Sequence, residues 1–239
     1  MEAIVLAGGL GTRLRPVVAD VPKPMAPVAG RPFLDYILYY LKKQGVQRIT
    51  LAVGYKWEVI QSYYAQAHTG FGLELVFSIE NEPLGTGGAI FKAAGNVRSD
   101  TFFVINGDTA FDVPLNDLGE FYQNNDAGVA LALKRVTNGD RYGSVECAPN
   151  GRIVSFVKKA HNNPPVSVIN GGIYLMKKAV IERFNFPDPF SFETGLLKDK
   201  LTELNVYGKI FDSPFIDIGI PADYHRAQSL FKNTIDEAI

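Results

Sequence analysis

Ala3-Ile4-Val5-Leu6-Ala7-Gly8-Gly9-Leu10-Gly11-Thr12-Arg13 is the stretch that sets the fold class. Its first five residues form a continuous apolar run closed by glycines, the pattern of a strand buried on both faces of a parallel sheet. Glycines directly after such a strand let backbone N–H groups approach a phosphate closely, and Arg13 adds a fixed cation. Two familiar phosphate loops do not fit. There is no Gly-Lys-Ser/Thr ending for a Walker loop, and Gly9-Leu10-Gly11 lacks the third glycine and the immediate helix of a dinucleotide-binding turn. On glycine content alone the segment also reads as a plain tight turn.

Working outward, Pro16, Pro22, Pro24, Pro27 and Pro32 forbid a continuous helix over 8–32, so a long ordered loop or a set of short turns follows the strand. Long loops inside compact domains tend to be functional. Leu34, Ile37, Leu38 and Leu41 recur at helical spacing and Gly45 stops the run, which predicts a helix over about 33–44. Strands at 49–53, 73–79 and 102–105 alternate with helices at 57–64 and 88–94. That βαβαβαβ order argues for a parallel sheet whose ligand site lies beyond the carboxyl ends of its strands. After Asp126 the strand-like segments 129–133, 144–146, 153–156 and 166–175, with turn signals such as Asn150-Gly151, favour antiparallel pairing. Helices at 178–183 and 192–201, a strand at 206–210 and a helix at 222–231 follow. The expected fold class is α/β: a Rossmann-like, mostly parallel central sheet with helices on both faces and a smaller antiparallel lobe, in one domain over 1–239 whose halves meet near residue 125.

Composition narrows the function classes. The chain has 239 residues, 46% of them hydrophobic, enough for a sizeable core. Its 24 Lys and Arg against 25 Asp and Glu give a net charge of −1, so no bulk field draws it to nucleic acid or an anionic membrane and any anion site must be local. Met1-Glu2-Ala3 lacks a basic leader, and no apolar run approaches a membrane span, so a cytoplasmic protein is expected. Cys147 stands alone and His68, His161 and His225 are widely spaced, which argues against a disulfide and a transition-metal cluster. Those four residues and Trp57 read as structural or surface groups.

Extended through Pro16 to Pro22-Lys23-Pro24-Met25-Ala26-Pro27-Val28-Ala29-Gly30-Arg31-Pro32, the opening stretch resembles the signature of the sugar-1-phosphate nucleotidylyltransferases. Lys23, fixed between two prolines, either aims its ammonium at phosphates or is a surface lysine on a rigid loop. The resemblance implies that Leu6, Ala7, Gly8, Gly9, Gly11, Thr12 and Arg13 bind the nucleotide, with Arg13 and Lys23 acting in catalysis. Glu80-Asn81-Glu82-Pro83-Leu84-Gly85-Thr86-Gly87-Gly88 resembles the family's base-recognition segment, which adds Glu80, Gly85 and Thr86 to the nucleotide site. A carboxylate only accepts hydrogen bonds and so suits the adjacent N–H donors of guanine, although some family members that use uridine nucleotides carry Glu there too. Glu80 and Glu82 are both candidates to read the base.

Asn106-Gly107-Asp108-Thr109 ends a strand, and Asp217 lies in Phe215-Ile216-Asp217-Ile218-Gly219; singly, each Asp reads as a turn or cap residue. They resemble the family's two magnesium aspartates, which implies Mg²⁺ as cofactor at Asp108 and Asp217, with Asp108 catalytic. Tyr142-Gly143, Lys158-Lys159 and Asn170-Gly171-Gly172 resemble pieces of the family's sugar-phosphate pocket, implying roles for Lys23, Asn106, Gly143, Lys159, Asn170 and Gly171. Lys158 departs from pattern: many relatives carry Glu there, and a lysine cannot accept hydrogen bonds from sugar hydroxyls. Within the family, 80–88, 106–113 and 215–224 look most like the members that guanylylate a heptose 1-phosphate. The partners so implied are GTP, or another nucleoside triphosphate, and a sugar 1-phosphate, in a possible homo-oligomer, with no nucleic acid or membrane. The alternatives are a mannose 1-phosphate guanylyltransferase, a member using UTP, CTP or dTTP, and a non-catalytic nucleotide-sugar-binding subunit. An NAD-dependent oxidoreductase is disfavoured by the incomplete glycine fingerprint.

Overall fold

The structure, a computed structural model, describes residues 1–9, 11–14, 17–18, 21–66, 71–137, 142–157 and 166–235. In chain order its strands are β1 (Glu2–Leu6), β2 (Pro27–Val28), β3 (Arg31–Pro32), β4 (Arg48–Val53), β5 (Glu74–Ile79), β6 (Thr101–Asn106), β7 (Thr109–Phe111), β8 (Val129–Thr137), β9 (Ser144–Cys147), β10 (Ile153–Val157), β11 (Val166–Lys177), β12 (Val206–Ile210) and β13 (Phe215–Asp217). Its α-helices are α1 (Phe33–Lys43), α2 (Trp57–Tyr64), α3 (Gly85–Ala94), α4 (Leu115–Asn124), α5 (Lys178–Arg183) and α6 (Pro221–Leu230). A short 3₁₀ turn covers Lys23–Met25, and a π-helix covers Phe192–Lys198. No described helix is long and apolar enough to cross a membrane.

Nine strands form one sheet. β1 pairs in parallel with β4 on one side and β6 on the other, and β4 pairs in parallel with β5. The chain therefore leaves β1 towards β5 and returns on the other side of β1 to make β6. That reversal opens a crevice at the carboxyl ends of β1 and β6, where doubly wound sheets bind ligands. It sits where the glycine loop and Asn106-Gly107-Asp108 begin.

The second-half strands pair mostly antiparallel, as expected, and extend the same sheet. β11 runs antiparallel to β6, β8 antiparallel to β11, and β12 parallel to β8, while β9 and β10 make an antiparallel pair against the outer part of β11. Along β11 the register against β8 jumps between Asn170 and Tyr174, so extra residues bulge out there. A further ribbon pairs β7 with β13.

Alternation on β1 explains the two cores. Ala3, Val5 and Ala7 face a layer containing α1, α2, α4 and α6, whereas Ile4 faces α3, α5 and the π-helix. Phe102 on β6 is fully buried in the second layer, and its truncation to Ala would cost about 3–5 kcal/mol. Within the first layer α1 and α2 are tied by Asp35, only 1% exposed, which accepts hydrogen bonds from Tyr64 Oη at 2.7 Å and Tyr63 Oη at 3.0 Å. Burial pushes the Asp35 carboxyl up and the Tyr63 hydroxyl up to about 12, with Asp35's charge adding to the latter.

Candidate active site

The glycine loop leaves β1 beside the end of β4. A Cβ on Gly8 would lie 2.9 Å from Glu80 Oε1 and 3.1 Å from Gly54 N, so a side chain there would crowd both and displace Glu80. Leu6, Gly8, Gly9, Glu80, Glu82, Gly85 and Thr86 line one cleft of about 630 Å³, which unites the two segments read from sequence as nucleotide-binding. Ala7 is buried, its N–H donating to Ala52 O at 2.8 Å, and so supports the cleft without lining it. Gly11 packs against the stem of Lys23, and Thr12 and Arg13 are exposed on the loop.

Glu80 is half-buried and Glu82 exposed. Burial raises the Glu80 carboxyl above the ordinary glutamate range, partly offset by the Leu84 N–H, which donates to Oε2 at 3.1 Å. That fixed orientation singles out Glu80 as the carboxylate built into the cleft. Sequence reading missed Tyr55, Lys56 and Glu58 in the lining and treated Trp57 as structural; Trp57 both packs on the core and lines the cleft. The available signal was positional, since Gly54 to Glu58 follow the carboxyl end of a parallel strand. Lys56 even holds a left-handed backbone, φ 51°, at the start of α2.

The carboxylates converge on the other side of β1. Gly107 N–H donates to Leu6 O at 2.9 Å, which holds the end of β6 against β1 and sets Asp108 at the crevice. The β7–β13 ribbon pairs Thr109 with Asp217, and Ile218 N–H donates to Asp108 O at 3.0 Å. Two residues far apart in sequence thus meet at one point. Lys23, held by its 3₁₀ turn with its side chain only 10% exposed, places Nζ in hydrogen-bond contact with Asp108 Oδ2 and 3.8 Å from Asp217 Oδ1. The Asp108 and Asp217 side chains remain 34% and 18% exposed.

One cation already bridges both carboxylates, so the donor set fits a hard divalent cation, which needs one or two carboxylates and completes its shell with water and phosphate oxygens. Among the described residues no group of three or more His, Cys, Asp or Glu is placed to hold a metal. Asp108 and Asp217 are thus the described carboxylates that could share one such cation.

The sugar-side candidates are more scattered. Asn106 ends β6, half-buried, and its amide lies against Gly172, which has φ +76° and whose Cβ, if present, would be 2.7 Å from Asn106 Nδ2. Gly171 is buried in the β11 bulge against the Phe111 ring, and Gly143 is exposed just before β9. Asn170 Nδ2 donates to Tyr174 Oη at 2.7 Å and Glu193 Oε1 at 2.8 Å. Lys158 and Lys159 lie outside the described residues. Thr86 Oγ1 accepts from Phe192 N–H at 2.9 Å, fastening the nucleotide segment to the π-helix.

The nucleotidyl transferase family profile matches residues 2–234. The chain belongs to that family. The nucleotidyl transferase relatives include the D-glycero-α-D-manno-heptose 1-phosphate guanylyltransferases of Aneurinibacillus thermoaerophilus, 43% identical over 98% of this chain and 100% of the relative, and of Campylobacter jejuni, 44% identical over 95% and 98%. HddC from Yersinia pseudotuberculosis superposes with TM-score 0.86 at 39% identity, covering 97% of this chain and 99% of that one. The same protein complexed with GMP-PN gives TM-score 0.85.

Proposed function

We propose that this nucleotidyl transferase transfers GMP from GTP to D-glycero-α-D-manno-heptose 1-phosphate, releasing pyrophosphate and giving GDP-heptose for bacterial surface polysaccharide. The observation that carries the reading is the meeting of Lys23, Asp108 and Asp217 beside a cleft whose built-in carboxylate is Glu80. The relatives named above are guanylyltransferases acting on that sugar phosphate, and they match nearly the whole chain.

In the reaction an oxygen of the sugar 1-phosphate attacks the α-phosphorus of GTP, a new O–P bond forms, and the bond to the bridging oxygen of pyrophosphate breaks. The nucleophile is already an anion at neutral pH, so no general base is required and charge control dominates. Glu80 accepts the N–H donors of guanine, and the backbone of Gly8 and Gly9 lets the nucleotide approach closely. Lys23 holds the two anions near the α-phosphorus. Arg13 and the loop N–H groups stabilise the departing pyrophosphate. Asp108 and Asp217 would hold Mg²⁺, which when bound supplies positive charge to the phosphate oxygens.

The test is pyrophosphate release with D-glycero-α-D-manno-heptose 1-phosphate and mannose 1-phosphate, each against GTP, UTP, CTP, dTTP and ATP, with Mg²⁺ and after chelation. Expected is release with GTP and the heptose phosphate, lost on chelation. Preference for another nucleotide overturns the Glu80 assignment, preference for mannose 1-phosphate overturns the sugar, and release with none overturns the reaction.

A further inference from the structure

A carboxylate outside the sites assigned so far follows directly on Phe192, whose N–H donates to Thr86 of the cleft. Glu193 projects from the π-helix Phe192–Lys198, an element that recurs at functional sites. One of its oxygens is held by two neutral donors from β11: Asn170 Nδ2 at 2.8 Å and the Tyr174 hydroxyl at 3.1 Å. Tyr174 is itself fully buried and receives Asn170 Nδ2 at 2.7 Å, so the three side chains form a closed triangle around Oε1. Oε2 has no hydrogen-bond partner and Glu193 no pairing cation among the described residues, and the residue is exposed.

The position of this triangle is fixed from both sides. Phe192, immediately before Glu193, is bonded to Thr86 of the nucleotide cleft. Asn170 Oδ1 accepts from Gly172 N–H at 3.1 Å, and Gly172 presses on Asn106, two residues before Asp108. Asp108's charge reaches the Tyr174 hydroxyl. Glu193 is therefore linked through Phe192 to Thr86 of the cleft and through Asn170 and Gly172 to Asn106, two residues before Asp108.

A phosphate would be repelled by such a group, and a neutral apolar ligand would leave its free oxygen unpaired. Sugar hydroxyls are the matching chemistry, because a carboxylate with one oriented oxygen and one open one accepts from hydroxyl donors without competing for the phosphate. We propose that Glu193, oriented by Asn170 and Tyr174, receives hydroxyl groups of the sugar 1-phosphate and sets sugar specificity. This rests on the reaction proposed above. It supplies from the π-helix the hydroxyl acceptor that Lys158 does not provide.

The deciding experiment is steady-state kinetics of Glu193→Gln in the full chain, varying the sugar 1-phosphate and GTP separately, beside a panel of sugar 1-phosphates each lacking one hydroxyl. The expected result is a 10- to 100-fold loss of kcat/KM carried by the KM for the sugar phosphate, with the KM for GTP within about twofold. One deoxy analogue should lose a similar factor with the unsubstituted protein and nothing further with the variant. If instead Glu193→Gln lowers the melting temperature and both KM values shift together, or if every deoxy analogue loses equally in both proteins, Glu193 only locks the π-helix to β11 and the proposal falls. If Glu193→Gln does not fold, Glu193→Asp, which keeps the charge and shortens the reach, is read by the same KM split. Turnover by the unsubstituted protein with a different sugar 1-phosphate replaces the sugar of the proposed reaction and leaves the Glu193 test intact with that sugar; turnover with none overturns both.

Discussion

Two carboxylate clusters in this fold are built from similar parts and end in opposite chemistry. Asp35 is sealed between α1 and α2, and its oxygens are met by the hydroxyls of Tyr63 and Tyr64 on rigid rings, with the Arg31 guanidinium more distant at 4.0 Å. Asp108 and Asp217 are more exposed and share one lysine on a flexible stem, beside the Thr109 hydroxyl on Asp108 and the Gly219 N–H on Asp217. Neutral donors locked by aromatic packing satisfy a buried charge permanently and tie two helices together. An ammonium is a mobile point charge, and the proposed reaction asks the pair it bridges to exchange it for another cation. The lesson is that exposure and a shared cation, more than the carboxylates themselves, distinguish the pair at the crevice from the one sealed between helices.

Substitutions can break this contrast or sharpen it. The largest effect is expected from Asp108→Asn, which should lower turnover about 10²- to 10³-fold while leaving the melting temperature within a few degrees; pyrophosphate release and thermal denaturation on the same sample check it. Lys23→Ala should cost about 10²-fold in turnover, and an unchanged rate would show that bridging the carboxylates is its whole role. Glu80→Gln should raise the KM for GTP about 10-fold. Because burial holds the Glu80 carboxyl above its ordinary range, the folded state favours its protonated form, and that favourable contribution is lost as pH rises. The variant should therefore melt at or above the unsubstituted protein at pH 7, and the advantage should vanish in acid, where both side chains are neutral; melting curves across pH read this directly. The smallest effect on turnover belongs to Tyr64→Phe, which removes one of Asp35's hydroxyl donors. It should destabilise by about 1–3 kcal/mol in urea unfolding with the turnover number unchanged.

Local signals in the sequence were legible where the chemistry is local. The apolar run of β1, the prolines of the loop, and the spacing of α1 and α2 all lie within one element, and the observed bounds follow them closely. α3 starts at Gly85, three residues before the expected Gly88, because the docking of Phe190, whose N–H donates to Leu84 O and whose carbonyl accepts from Gly87 N–H, overrides the low helix propensity of glycine. α4 went unread: Leu115, Leu118 and Tyr122 supply the apolar face, but Asn116, Asp117 and Gly119 resemble a loop. The site divides in the same way. Gly8 and Glu80, read from their own segments, line one cleft, whereas the approach of Asp108 to Asp217 depends on a three-residue ribbon too short to show a period. Glu193 was invisible for a related reason, since its meaning comes from Asn170 and Tyr174 on a distant strand.

That ribbon also orders events in time. β1, β4, β5 and the start of α3, which shape the nucleotide cleft, are all made before residue 90, but Asp217 enters the crevice only when β13 pairs with β7. The start of α3 waits in turn for Phe190 and Phe192, whose backbone bonds to Leu84, Gly87 and Thr86 fasten it. A chain that stopped before Phe215 would lack both the second carboxylate and the strand that pairs with β7.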